Sequence, residues 1–174
     1  MIEIKNIFKS FGKSEVLNDI SAKFERGKTN LIIGQSGSGK TVLLKCLLGL
    51  YSIDQGELIY DSIYSSKMND EEKVNIKKDM GMVFQGSALF DSLTVLENVR
   101  FPLDMLTKYS EKKKNEIALK FIDRVNLNDA INKLPSEISG GMQKRVGIAR
   151  AIVLNPKYLF CDEPNSGLDP KTAI

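Results

Sequence analysis

The chain has 174 residues, of which 42% are hydrophobic and 27% are charged, values typical of one globular domain with a substantial core. Its net charge of +3 is too small to indicate a nucleic-acid partner, and no apolar run approaches the roughly 18 residues that a membrane-spanning helix needs. The two cysteines, Cys46 and Cys161, lie far apart in apolar segments and match neither a metal-binding nor a disulfide pattern. No signal peptide is visible after Met1, so we predict a protein of the reducing cytoplasm.

The first part of the chain is predicted to contain short strands separated by turns. Residues 2–8 alternate apolar and polar side chains, which is typical of a half-buried strand. Further strands are predicted at 16–24, 29–33 and 57–60, and helices at 41–50 and 69–78. The second of these helices is polar throughout, which places it on the surface.

The rest of the chain begins and ends with strands that are apolar enough to be buried, at 80–84 and 158–161. Between them, a capping sequence that ends at Thr94 starts a helix, which Pro102 is expected to stop or bend.

Apolar residues at helical spacing predict two more helices, at 110–125 and 142–154. The strands therefore surround a helical insert from about residue 89 to 155, within a single domain. This arrangement predicts an α/β fold with a mostly parallel sheet that is covered by helices.

Residues 34–41 fit the pattern G-x-x-x-x-G-K-[ST], the phosphate-binding P-loop. An apolar run leads into the pattern and a helical run leads out of it, which is the context that this motif needs. Glycines allow the backbone to approach a ligand closely, and the following helix adds the positive end of its dipole. We expect Lys40 to lie against the β- and γ-phosphates and the Thr41 hydroxyl to bind Mg²⁺. The predicted nucleotide-binding residues of the loop are Gly34, Gln35, Ser36, Gly37, Ser38, Gly39, Lys40 and Thr41.

Two acidic residues, Asp162 and Glu163, directly follow the predicted strand at 158–161. Ligands of open α/β sheets collect at the carboxyl ends of the strands, and the P-loop also follows a strand end. Asp162 is therefore expected to reach the Mg²⁺ held by Thr41 through water, and Glu163 to polarise a water for attack on the γ-phosphorus. The alternative is a pair of acids in a solvated turn before Pro164.

Ser139, Gly140 and Gly141 stand at the start of a predicted helix, where a serine and two glycines can form an anion site. An N-cap with a flexible approach is the alternative, and the three residues alone favour it. Gln85 follows a predicted strand and is a candidate to reach the metal and the attacking water, although one glutamine is a weak signal.

The order of these motifs resembles that of the ATP-binding cassette (ABC) ATPases. The P-loop, Gln85, the signature at 139–141 and the acids of Walker B follow one another as they do in that family. A D-loop comes next and consists of Ser166, Gly167, Leu168 and Asp169. Phe11 resembles the aromatic residue that stacks on adenine, with Val16 beside it.

The resemblance implies a P-loop fold with an N-terminal antiparallel β part and a helical subdomain, with ATP and Mg²⁺ as cofactors. The implied catalytic residues are Glu163 and Gln85, and the implied metal-binding residues are Thr41, Gln85 and Asp162. In that family two such domains pair head to tail and close on ATP. The residues that would act on the nucleotide of the partner are Ser139, Gly140, Gly141 and Met142, and Asp169 would help to couple the two sites.

The family also implies a transmembrane permease as partner, with the ATPase on the inner face of the cell membrane. Residues 86–102 carry the apolar side chains Leu89, Phe90 and Leu93, which we expect to contact the permease. Packing within the helical insert is the alternative for each of these residues. Within the family, the runs 84–95 and 134–146 resemble ATPases of the mammalian-cell-entry (MCE) and lipid-asymmetry transporters. Phospholipid or another lipid is therefore the expected substrate, and an MCE-type lipid-binding protein is a further expected partner. Met142 stands where the family usually has glutamine, which should leave the backbone anion site intact.

Three alternatives remain from the sequence. The chain could serve another substrate, such as amino acids or lipoproteins, or be a soluble ABC protein that acts on ribosomes or DNA. It could also be a nucleotide-binding fragment without turnover. Cassettes of the family continue to a strand that carries a switch histidine, whereas this sequence ends at Ile174 and has no histidine. We therefore expect a truncated cassette that binds ATP, hydrolyses little of it and self-associates through an exposed apolar part of its sheet.

Overall fold

Residues 1–164 are described by the computed structural model, and they belong to two compact units. The first unit spans Met1–Lys77 and the second begins at Lys78.

The first unit is built on an antiparallel sheet with the strand order β2-β1-β3-β4. Its strands are β1 (Ile2–Phe11), β2 (Ser14–Phe24), β3 (Gln55–Tyr60) and β4 (Ile63–Tyr64). Burial alternates along most of β1, which confirms the strand predicted from its period of two. The N-terminal antiparallel part of the predicted fold is therefore present.

One helix of this unit, α1 (Lys40–Leu47), directly follows the P-loop and packs on the sheet. Its buried residues are Leu43, Cys46 and Leu47. The buried hydroxyl of Tyr60 on β3 donates a hydrogen bond of 2.5 Å to the Leu47 carbonyl oxygen, which ties the end of the helix to the sheet. Burial also raises the pKa of this phenol, so the hydroxyl stays a donor.

A second helix, α2 (Asp70–Lys78), confirms the predicted surface helix, because none of its residues is buried. Its start is stabilised by a reciprocal cap. The Asn69 side chain accepts from the Glu72 amide, and the Glu72 carboxylate accepts from the Asn69 amide, both at 2.9 Å.

The predicted strand at 29–33 is wrong. This segment has no strand hydrogen bonding, and Leu31 and Ile33 are 79% and 84% exposed. An apolar run becomes a strand only when a neighbouring strand accepts and donates its backbone hydrogen bonds. No strand of residues 1–164 pairs with this segment.

The second unit contains one parallel pair of strands, β5 (Met80–Val83) and β6 (Tyr158–Cys161). Helix α5 (Gly140–Ile152) lies so close to β5 that a Cβ at Gly81 would collide with the carbonyl oxygen of Ala151. Glycine is therefore required at that position for the helix to approach the strand.

The prediction that β6 is fully buried is wrong. Burial alternates along this strand, and Leu159 and Cys161 are exposed, Leu159 by 49%. Successive side chains of a strand point to opposite faces. The described residues cover only one of those faces, which composition alone could not reveal.

Three helices of the second unit share one hydrophobic core: α3 (Val95–Leu106), α4 (Glu111–Arg124) and α5. Fully buried side chains of this core include Val99, Leu103, Ala118, Ile122, Val146 and Ala149. Thr94 caps α3 in a capping box with Glu97, as the sequence predicted for this start. Pro102 lies inside α3 and does not stop it, because the helix continues to Leu106.

Asn98 is a fully buried polar residue of α3 whose side chain holds the preceding loop. Its Nδ2 donates to the carbonyl oxygens of Phe90, Leu93 and Thr94 at 2.9–3.1 Å. Its Oδ1 accepts from the Phe90 amide at 2.9 Å. This side chain therefore fixes residues 90–94, the last part of the loop that connects β5 to α3.

Replacing Asn98 with alanine is expected to destabilise the protein by about 2 kcal/mol, because buried backbone groups lose their partners. For a chain of 174 residues, that loss corresponds to a fall in Tm of roughly 4–8 °C in thermal unfolding followed by circular dichroism. Asn132→Ala, at an exposed position, is the matched control and should leave Tm nearly unchanged. Equal Tm values for the two variants would contradict the anchoring role.

Candidate functional site

The P-loop has the backbone that its glycines predict. Gly37 and Gly39 adopt φ values of 79° and 88°, in the left-handed region that glycine favours. The amide of Ser38 donates to the Gln35 carbonyl oxygen at 3.2 Å, which closes a turn inside the loop. Gly39 is the N-cap of α1, so the loop turns directly into the positive end of the helix.

Lys40 lies across the loop that precedes it. Its Nζ donates to the carbonyl oxygens of Gly34 and Gln35, both at 2.8 Å. An ammonium group has three protons, so a third is left to donate to a ligand such as a phosphate oxygen. Thr41, the other predicted side chain of the motif, is half-buried in the first turn of α1.

The predicted adenine-binding residues lie in the same unit. A Cβ at Gly39 would be 3.1 Å from Cγ1 and 3.0 Å from the carbonyl oxygen of Val16. Val16 on β2 therefore packs directly against the P-loop. Phe11 ends β1, and it is 45% exposed.

In the second unit, the structure brings together the predicted residues at the ends of β5 and β6. The strands are parallel and adjacent, so Gln85 and Glu163 follow them at one edge. Nε2 of Gln85 donates to Oε2 of Glu163 at 2.9 Å. Asp162 is buried, and its amide donates to the Val83 carbonyl oxygen at 3.0 Å, extending the pairing of the strands.

Glu163 has a φ of 46°, which is uncommon for a residue other than glycine. Such a backbone turns the chain sharply at the end of β6. The turn and the bond from Gln85 fix the carboxylate beside the strand ends. A carboxylate and an amide held in this way can position a water molecule and accept its proton.

Sequence reasoning missed Arg150, which anchors the turn after Gln85. From helix α5 its guanidinium donates to the carbonyl oxygens of Ser87 and Ala88 at 2.8 and 2.9 Å. Both of these residues have positive φ, 46° and 48°. Burial lowers the pKa of Arg150. The available signal was its place four residues after Val146, on the apolar stripe of the helix.

Ser139 is the N-cap of α5, and its Oγ accepts from the Met142 amide at 3.3 Å. Gly140 and Gly141 are exposed, and a Cβ at either would meet no atom within 4 Å. The packing of the described residues therefore does not require glycine at these two positions. An exposed helix start without side chains is open to approach by a large anion.

Thr41, Gln85 and Asp162 carry hydroxyl, amide and carboxylate oxygens, the donor types that Mg²⁺ prefers. Thr41 belongs to the first unit and the other two to the second. Residues 1–164 hold no group of three or more acidic, histidine or cysteine side chains suited to bind a metal by themselves. The D-loop residues Ser166, Gly167, Leu168 and Asp169 lie outside the described residues.

Within residues 1–164, every helix is too short or too polar to cross a membrane.

Comparison with known proteins places these motifs in one family. The family model described as "ABC transporter" matches residues 17–166. The chain is 40% identical over 169 residues to the probable ribonucleotide transport ATP-binding protein mkl of Mycobacterium leprae (strain TN), covering 97% of this chain and 49% of that protein. It is also 41% identical over 171 residues to the glutamine transport ATP-binding protein GlnQ of Escherichia coli (strain K12), covering 98% of this chain and 71% of that protein.

Among solved structures, the chain is similar to the ATP-binding cassette MJ0796 in a dimeric, post-hydrolysis state bound to ADP and Pi. The TM-score is 0.87 at 34% identity, and the match covers 99% of this chain and 78% of that one. The chain spans about half the length of the mkl proteins that it matches. The α/β P-loop fold predicted from the sequence is thus the fold of an ABC ATPase. This chain belongs to the ABC transporter family, and to its ATP-binding component.

Proposed function

We propose that the chain binds ATP with Mg²⁺ and hydrolyses it to drive a membrane transporter. The observation that carries this proposal is the geometry of the P-loop. Two left-handed glycines precede α1, and the Lys40 ammonium lies across the loop with a proton left for phosphate. The relatives named as ATP-binding transport proteins support the same assignment.

The base of the nucleotide would lie on Phe11. Phe11 is exposed enough to stack on a purine, and Val16 belongs to the same hairpin and packs against the P-loop at Gly39. Residues that would bind base and phosphates thus lie within one unit. The proposed nucleotide residues are those of the P-loop together with this pair.

In the proposed reaction, a water oxygen attacks the γ-phosphorus while the bond to the β,γ-bridging oxygen breaks, and ADP leaves with that electron pair. Glu163 accepts the proton of the attacking water as inorganic phosphate forms. Gln85 holds this carboxylate through Nε2, so its own Oε1 can still orient the water. When bound, Mg²⁺ would neutralise charge on the β- and γ-phosphates, with Thr41, Gln85 and Asp162 as its proposed residues.

A second copy of the cassette is the proposed partner at the start of α5. Ser139, Gly140, Gly141 and Met142 would then bind the nucleotide held by that copy, and Asp169 would couple the two sites. Gly140 and Gly141 support this role, because the packing of the described residues leaves open space at both positions. A bound nucleotide could approach the helix start through that space. The dimeric state of the similar cassette MJ0796 supports it as well.

A transmembrane permease is the proposed partner at residues 86–102, which would place the chain on the inner face of the cell membrane. Phe90 is 42% exposed although its ring packs against Phe101 at 4.6 Å between centroids. Asn98 and Arg150 hold the backbone around it. A fixed, exposed aromatic residue suits a partner with an apolar surface.

The domain boundaries stay a proposal as well. They comprise one ATP-binding domain with a helical subdomain inserted at residues 89–155.

The proposed transported substrate is a phospholipid or another lipid, and an MCE-type lipid-binding protein is proposed as a further partner. The support for this substrate is the resemblance of residues 84–95 and 134–146 to ATPases of the MCE and lipid-asymmetry transporters. The named substrates of the similar proteins differ, and they include ribonucleotide, cystine and glutamine. An amino-acid transporter is therefore the second candidate. The identity of the permease encoded next to this chain would distinguish the two.

Calorimetric titration with MgATP, followed by a phosphate-release assay, tests the proposed activity. One saturable site per chain is expected, together with release of phosphate that requires Mg²⁺. Absence of binding at millimolar ATP would contradict the proposal. Binding without release would support the nucleotide site and reject hydrolysis by this chain.

A further inference from the structure

The end of β1, which carries Phe11, is held by the loop that follows the P-loop helix. Asp54 in that loop accepts from Lys9 Nζ through Oδ1 at 2.8 Å and from the Ser10 amide through Oδ2 at 2.6 Å. Its own amide donates to the Phe8 carbonyl oxygen at 2.9 Å. One residue thus contacts three consecutive positions of β1, directly before Phe11.

The phenyl ring of Phe11 itself contacts two other side chains, Tyr51 and Lys9. Tyr51, from the same loop, packs its ring edge-on against Phe11, with 5.3 Å between centroids. The ammonium of Lys9 lies 5.3 Å from the centroid of the Phe11 ring. Lys9 is buried, and its ion pair with Asp54 at 2.8 Å fixes the position of its ammonium group.

The same loop is joined tightly to the P-loop helix. The amides of Leu50 and Tyr51 both donate to the Lys45 carbonyl oxygen, at 2.8 and 3.2 Å. The helix, the loop and the end of β1 therefore form one connected body. A body of this kind fixes the distance between a phosphate group at the P-loop and a base at Phe11.

The ionisation state of the Asp54 carboxylate also favours its contacts with Lys9 and Ser10. The hydrogen bonds from Lys9 and from the Ser10 amide hold the pKa of Asp54 below its ordinary value. The carboxylate therefore stays ionised at neutral pH and can accept from both donors. An asparagine at this position has one acceptor oxygen and could satisfy only one of them.

We propose that Asp54 and Lys9 are positioning residues that hold Phe11 for stacking on the base, and that they set the preference for a nucleotide over a bare polyphosphate. The inference rests on the proposed nucleotide site and deepens it. Neither residue touches the phosphates in this scheme. Their removal therefore changes binding of the base and leaves binding of the phosphate chain intact.

The test compares the affinities of wild type and variants for MgATP and for magnesium tripolyphosphate, which has the phosphates without a base. Phe11→Ala should weaken ATP binding about tenfold, as loss of one stacking platform does. Asp54→Asn and Lys9→Met should each weaken it several-fold. Tripolyphosphate affinity should change less than twofold in all three. Because both ligands report on the same folded fraction, general destabilisation would not alter the ratio of the two affinities.

Two further variants decide whether the effect passes through Phe11. Adding Asp54→Asn to Phe11→Ala should cause no additional change in the ratio. Glu57→Gln removes an exposed carboxylate of the same sheet and should leave the ratio at the wild-type value.

An unchanged ratio in Asp54→Asn and Lys9→Met, with ATP bound by wild type, would overturn this inference alone. Additive effects in the double variant would also overturn it. If wild type bound neither ligand, the proposed nucleotide site would be wrong, and this inference with it.

Discussion

Replacing Lys40 with alanine is expected to lower the affinity for MgATP by roughly tenfold to a hundredfold. A hydrogen bond to a charged partner contributes about 1.5–3 kcal/mol, and the phosphate chain would lose one such bond together with a nearby positive charge. The variant also removes the two bonds from Nζ to the carbonyl oxygens of Gly34 and Gln35, so the loop is less well ordered before binding. Both effects act on the phosphates and not on the base.

Calorimetry with ATP and with tripolyphosphate would measure this loss, which should be similar for the two ligands. That result contrasts with the expectation for Asp54→Asn, where only ATP is affected. Lys23→Ala, at an exposed position on β2, removes the same charge from the same unit and should bind both ligands as wild type does. ATP affinity in Lys40→Ala equal to that of wild type would reject the P-loop assignment.

Local patterns explain why the P-loop could be predicted from the sequence. Gly37 and Gly39 take left-handed φ values that few other residues tolerate, so their spacing fixes the backbone of the loop. The caps at Thr94 and Ser139 are equally local, since each side chain bonds an amide three residues later. The alternation of apolar and polar side chains along β1 is also a local pattern, so this strand could be predicted from the sequence.

Contacts between distant segments were not predictable. Lys9 and Asp54 are 45 positions apart, and Arg150 reaches Ser87 across 63 positions. Lys9 and Asp54 look like ordinary surface charges in the sequence, and the place of Arg150 on the apolar stripe of α5 indicates burial without indicating a partner. Only the fold brings each side chain beside its partner, so single-sequence patterns do not reveal these bonds.

The predictions for two apolar segments, residues 29–33 and the strand β6, were also wrong. The segment at 29–33 and the strand β6 both have apolar compositions, yet the first forms no strand and the second exposes Leu159 and Cys161. Apolar composition reports a tendency to leave water. Whether a neighbouring strand or helix is present to satisfy that tendency depends on the rest of the fold.

The second large effect is expected at Glu163, which follows the strand β6. Glu163→Gln is expected to reduce the rate of phosphate release by about a hundredfold or more, because loss of a general base commonly costs a factor of about 10²–10⁴. Affinity for MgATP should stay within about threefold of wild type, since this role belongs to the chemical step. Single-turnover phosphate release and calorimetry on the same preparations measure the two quantities separately.

The contact between Gln85 and Glu163 sharpens this prediction. The Nε2 of Gln85 donates to Oε2 of Glu163, so an amide at position 163 can still accept that bond through its own oxygen. Glu163→Gln therefore keeps the local geometry and removes only the ability to take a proton. Gln85→Ala does the reverse, because the carboxylate remains but loses the group that orients it, and a smaller loss of rate is expected.

Glu116→Gln, at an exposed position of α4, is the control variant and should hydrolyse ATP as wild type does. If wild type releases phosphate and Glu163→Gln releases it equally fast, the base is another group and Glu163 serves only to shape the turn after β6.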